Sequence, residues 1–143
     1  MDKFAHIIQQ AHSGWAYITL LVLVIAVING IAGFTSAREF KASDRRLGLF
    51  ALIASHIQLV IGLITYFTSP LGLSAFGQMK NAALRLTSLE HPLVNIIAIV
   101  LITIGWSKHK RKELSKDKFK CFAIFYTLGL VFLLSRIPWK LWF

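Results

Sequence analysis

Four runs of apolar residues dominate this chain. They lie roughly at Gly14–Phe34, Leu47–Phe67, Leu89–Trp106 and Phe119–Ile137. A helix of about 20 such residues crosses the ~30 Å hydrocarbon core of a bilayer. Lipid offers no partner for a bare backbone, so a spanning segment must satisfy its own N–H and C=O groups. The runs are continuous and not alternating, which selects helices over barrel strands. The expected fold class is therefore all-α, an integral membrane protein of one domain spanning 1–143. Short connections make consecutive helices antiparallel neighbours, so an up-down four-helix bundle is expected.

The 143 residues carry 16 Lys and Arg against 6 Asp and Glu, a formal charge of +10. On a soluble domain this would point to nucleic acid. Here the basic residues sit between the apolar runs, as membrane flanks do, and no nucleic-acid role is expected. Arg38, Lys41, Arg45 and Arg46 fall in the first gap. Lys108, Lys110, Arg111, Lys112, Lys116, Lys118 and Lys120 fall around the third. The rest are Lys3, Lys80, Arg85, Arg136 and Lys140. The positive-inside rule places the two basic loops in the cytoplasm and both termini outside. Trp15, Trp139 and Trp142 fall where an outer aromatic belt would lie, and Trp106 marks the inner face.

Cys121 is the lone cysteine, so no intrachain disulfide or CxxC pair is available, and it reads as a small packing residue. The first run is too long, and its leading segment too weakly charged, for a cleavable signal peptide. No serine–histidine–acid triad, P-loop or nucleotide glycine motif is present. Gly30 and Gly33 read as close packing. "LGLSAFGQMKNAALRL" and "KFAHIIQQ" are candidates for short interfacial helices.

Three histidines stand at or within the apolar runs, where an imidazole needs a partner. His12 opens the first run and His91 the third. Both enter from outside, so both lie within roughly 5 Å of the outer edge. The first and third helices are diagonal in an up-down bundle, which lets the two rings face each other. His56 falls near the midplane of the second run. His6 and His109 lie in polar surroundings and are expected to be solvated.

Facing imidazoles in a helix bundle can ligate a haem iron from both sides. Gly14, Ser55 and Gly62 would leave room for the macrocycle. Trp15, Tyr17, Tyr66 and Phe67 could line the slot. Arg85, Arg136 and Lys80 are outer-side cations suited to propionates. His56 and Gln58 would stand behind the ligands, or touch a proton or quinone, with His56 the alternative axial ligand. Two other readings stay open. One is a His-based copper or zinc site, His12, His91 and His56 together, in a protein of cofactor insertion. The other is a cofactor-free accessory subunit of a larger membrane complex.

The segments "HSGW", "SHIQLVIGLITYFTSP", "LEHP" and "FAIFYTLGLVFLLSRIPW" resemble a family of small bacterial membrane proteins, mainly of the Bacteroidetes, labelled "cytochrome b". The likeness runs through nearly the whole chain. A more remote one is to one four-helix half of haem A synthase. His12 matches that family's first histidine, Gln58 and Gly62 its middle helix, and His91 its second histidine. The resemblance implies that His12 and His91 ligate haem b. Gln9 stands where that family has a glutamate needed for catalysis, and Ser13 where it has an arginine. The likeness therefore carries over the haem site and not oxygenation of the haem. With both axial positions filled the expected function is movement of single electrons, in a multi-pass protein of the bacterial inner membrane. The lipid bilayer is expected to surround it, with quinone or a larger respiratory complex as a candidate partner. A homo-oligomer is equally compatible with the composition.

Overall fold

The computed structural model describes residues 2–142. Among them all regular structure is helical. Four long helices account for most of it: α1 (Lys3–Ser36), α2 (Ala42–Thr68), α3 (Ala82–Lys110) and α4 (Ser115–Ser135). Each is long and apolar enough to cross a membrane. A short helix, α5 (Trp139–Trp142), follows, and a 3₁₀ turn at Leu73–Ala75 interrupts the loop after α2.

Local chemistry sets the ends. Asp2 caps α1, its carboxylate accepting from the Ala5 N–H at 2.7 Å. The helix thus starts at Lys3, and the candidate interfacial segment "KFAHIIQQ" is its first turns. At 1.5 Å per residue its 34 residues reach about 51 Å, well beyond the hydrocarbon thickness. Ala37 ends it in the left-handed region, at φ 55°. Asp44 opens α2 by accepting from the Lys41 N–H at 2.8 Å. Its two oxygens also take Asn29 at 2.9 Å and a two-armed Arg38 at 2.9 and 3.0 Å. This buried carboxylate ties α1 to α2 with its lone pairs satisfied. α2 stops because Pro70 forces Ser69 into extended backbone.

α3 begins earlier than hydropathy suggests. Asn81 caps it, and "AALR", near the end of the candidate interfacial segment, forms its first turn; the rest of that segment is loop around the 3₁₀ turn and not an interfacial helix. Leu86–Glu90 then widens into a π turn, with the His91 N–H reaching the Leu86 carbonyl. The cause follows at once in the chain. Pro92 has no N–H for the Ser88 carbonyl four residues back. The Tyr66 hydroxyl of α2 donates to that carbonyl instead, at 2.9 Å.

Contacts give the relative directions. Along α1 and α2, His12 meets Gly62, Thr19 meets Ala54 and Asn29 meets Asp44, so the pair runs antiparallel. Tyr66 with Ser88 and His56 with Thr103 do the same for α2 and α3. Gly129 against Ile102 and Arg136 against His91 do so for α3 and α4. α4 returns beside α1, where Gly30 would place a Cβ 3.0 Å from that of Phe122. The buried core gathers Leu23, Ala26 and Val27 of α1 with Ala51 of α2. Ala98, Ile102 and Trp106 of α3 join Phe122, Tyr126 and Leu133 of α4. The Tyr126 hydroxyl crosses it to the Gly48 carbonyl at 2.7 Å. Outward faces are apolar too: Leu21, Ile28, Phe50 and Val60 are exposed, as suits contact with lipid chains.

His109 corrects the sequence expectation. It is buried, not solvated. Three residues after Trp106, it shares that residue's inward face. It packs 4.5 Å from the Trp106 ring and 4.6 Å from that of Phe122, and Phe40 of the first loop folds over it at 5.7 Å. His6 is exposed beside Gln10, and Cys121 is buried as expected.

Candidate functional site

A cavity of about 210 Å³ opens among α1, α2, α3 and the segment after α4. Its walls are mostly apolar: Ala16, Leu20, Leu59, Leu63, Ile96, Ile99, Leu133 and Leu141. A few polar groups converge on it, chiefly Gln9, His12, Gln58, His91 and Asn95. An apolar pocket with few aimed polar groups is the usual form of a cofactor site.

His12 and His91 meet in this cavity. Their ring centroids are 6.1 Å apart and their planes cross at 78°. His91 Nδ1 lies 3.0 Å from the Arg136 carbonyl oxygen. That oxygen has only lone pairs to offer, which assigns the proton to Nδ1 and leaves Nε2 with its lone pair free. The Asn95 amide nitrogen, itself a donor, lies 3.0 Å from the same nitrogen; against a protonated Nδ1 that is a contact and not a hydrogen bond, and the amide donates instead to the His91 carbonyl. A ring held through one nitrogen while the other is bare is the usual state of a metal-ligating histidine. Arg136 can present its carbonyl because α4 has just ended, at φ −128° and ψ 23°.

His12 is held differently. The Gln58 amide donates to its backbone carbonyl at 2.8 Å. A Cβ at Gly62 would sit 3.1 Å from the ring carbon Cε1, so glycine there makes room for the ring. The His12 Nδ1, the Gln58 Oε1 and the Gln9 Oε1 are all buried without a hydrogen-bond partner.

The remaining expected site residues fall elsewhere. Gly14 faces open space and crowds nothing. His56 is exposed on the outer side of α2, its Nε2 3.0 Å from Thr103 Oγ1. It is not brought to the His12–His91 pair, and the described residues contain no group of three or more His, Cys, Asp or Glu placed to hold a metal. Arg85 bonds Glu90 at 3.0 Å and the Met79 carbonyl at 3.0 Å. The Arg136 guanidinium lies 3.9 Å from the same carboxylate. Neither arginine lines the cavity, though Thr87 and Ile137, their near neighbours in the chain, do. Lys80 is exposed in the loop.

Of the aromatic residues, Tyr66 lines the cavity, whereas Phe67 is exposed. Trp15 instead donates to the Ala54 carbonyl at 2.9 Å, and Tyr17 lies 4.7 Å from the Trp142 ring. Ser55 is buried and donates to Ala51. Sequence reasoning did not single out Asn95 or the carbonyl of Arg136. Asn95 stands one helical turn after His91, a spacing that could have shown it. Gln9 stands three residues before His12 on the same face.

Comparison with protein-family models, with curated proteins and with solved structures finds no match for this chain.

Proposed function

We propose that this protein is a membrane-embedded b-type cytochrome, an up-down four-helix bundle holding one haem through His12 and His91. The spacing of the two rings carries the proposal. A metal–nitrogen bond is about 2 Å, and a ring nitrogen stands about 1 Å from its ring centre, so two imidazoles on one metal place their centroids about 6 Å apart. The observed 6.1 Å fits that sandwich. The free Nε2 of His91 and the glycine cradle beside His12 fit it as well.

Gly62, Leu63, Ile96 and Leu133 would pack on the macrocycle. The cavity is smaller than a porphyrin, so part of the ring would emerge between the helices. Arg85 and Arg136, both half-exposed beside Glu90 and outside the cavity lining, would meet propionates only where the ring emerges toward them. A haem bound by two histidines supplies a one-electron couple and keeps oxygen from the iron. The protein's own residues orient the rings and exclude water. The distribution of Lys and Arg supports both termini outside a bacterial inner membrane. Quinone or a respiratory complex would exchange the electron.

Absorption spectroscopy of the detergent-solubilised protein tests this. A Soret band that moves on reduction is expected, with loss in His91→Ala and in His12→Ala. A colourless, folded protein overturns the reading and favours an accessory subunit. Stoichiometric metal without porphyrin favours a two-histidine metal site.

A further inference from the structure

We infer that Gln58 and Gln9 form the acceptor pair that takes the Nδ1 proton of His12, fixing this histidine with Nε2 toward the cavity. Three unpartnered buried polar atoms line one cavity: His12 Nδ1, Gln58 Oε1 and Gln9 Oε1. Leaving such atoms unmade in apolar surroundings is costly. Their chemistry is complementary. An imidazole N–H needs an acceptor, and the two amide oxygens need donors.

The orientation of the Gln58 amide is set independently, because its Nε2 donates to the His12 carbonyl at 2.8 Å. Its oxygen is therefore the group left to face the cavity. Gln9 sits one turn before His12 on the same helix. In one route a side-chain rotation of either glutamine would bring its amide oxygen to the Nδ1–H directly. Alternatively, one buried water satisfies all three atoms, accepting from Nδ1–H and donating to both oxygens; about three bonds is the usual complement of such a water. Either route does for His12 what the Arg136 carbonyl does for His91. Both rings, their centroids 6.1 Å apart, would then carry a bare Nε2.

These are positioning residues, and they are tested in two ways. In the haem-free protein labelled with ¹⁵N-histidine, imidazole nitrogen shifts report the tautomer, with the His12 signals identified by their loss in His12→Gln. The expected form is Nδ1–H, and the double variant Gln9→Leu with Gln58→Leu should convert it largely to Nε2–H. An Nε2–H tautomer in the unaltered protein, or no change in the double variant, overturns the inference whether or not haem binds.

The second test rests on the proposed cytochrome. Loss of the acceptor makes the ring less basic and favours ferrous iron. Gln58→Leu should shift the ferric-to-ferrous preference about tenfold, raising the midpoint potential by about 59 mV. Gln58→Glu should lower it, increasingly as the carboxyl ionises at high pH. An unaltered potential with an intact Soret band defeats this inference and leaves the cytochrome standing. Failure to take up haem defeats the cytochrome and leaves the tautomer measurement to decide.

Discussion

Tyr66 and Ser88 are joined by a hydrogen bond that substitutes for one a proline removed. The tyrosine hydroxyl reaches the Ser88 carbonyl at 2.9 Å, the oxygen that Pro92 has no N–H to meet. The bond holds the π turn that precedes His91. Tyr66→Phe leaves that buried carbonyl without a donor and should destabilise the protein by about 1–3 kcal/mol. Thermal unfolding in detergent, followed by circular dichroism, measures it. An unchanged transition would show that another donor serves Ser88.

The glycine beside His12 gives a steric prediction. A Cβ at position 62 already approaches the ring to 3.1 Å, so Gly62→Ala needs a small shift and should weaken haem uptake in part. Gly62→Val turns its methyls against the His12 ring and into the cavity, and should abolish the Soret band while costing about 1–3 kcal/mol of stability. Haem titration of both variants against circular dichroism separates loss of the site from loss of the fold. Full haem uptake by Gly62→Val would remove His12 from the site.

His56 should be a bystander. It is turned outward and bonded to Thr103, a contact of roughly 0.6 kcal/mol in a bilayer. In His56→Leu the absorption spectrum, the metal content and the potential should all match the parent protein. Loss of colour or of metal would mean that the ligands are not the His12–His91 pair.

The orientation makes its own prediction. In a Cys121→Ala background, Ser74→Cys lies in the loop after α2 and Ser43→Cys at the start of that helix; both positions are exposed. A membrane-impermeant maleimide added to intact cells should label the first, and the second only after lysis. The reverse pattern would turn the molecule over and place the His12–His91 pair at the inner face.

The four long helices were legible because hydropathy over about twenty residues is a strong signal. Their ends were less so. "KFAHIIQQ" and "AALR" are moderately polar, yet they simply prolong α1 and α3, because capping by Asp2 and Asn81 outweighs hydropathy there. The meeting of His12 and His91 could be read from depth, since both open apolar runs that enter from the same side, although each helix starts about nine residues earlier. His56 shows what depth cannot give. Its height was clear, but α2 is apolar nearly all round, so the sequence carried little sign of which way the residue faces. For His109 the missing signal was the loop: nothing in "SKHKRK" announces that Phe40 will cover it. Main-chain partners such as the Arg136 carbonyl leave no trace in side-chain patterns at all.

That last contact has a genetic corollary. An anchor made of main chain is indifferent to the letter written at position 136, so exchanging the arginine's side chain leaves the grip on His91 in place. The vulnerable codon lies two further on. Pro138 cannot continue a helix and helps end α4 before Arg136. A helix-forming residue there would let α4 grow by a turn and draw the carbonyl into its own ladder. The ring would then lose its tether through a change at a residue that has no part in the bond itself.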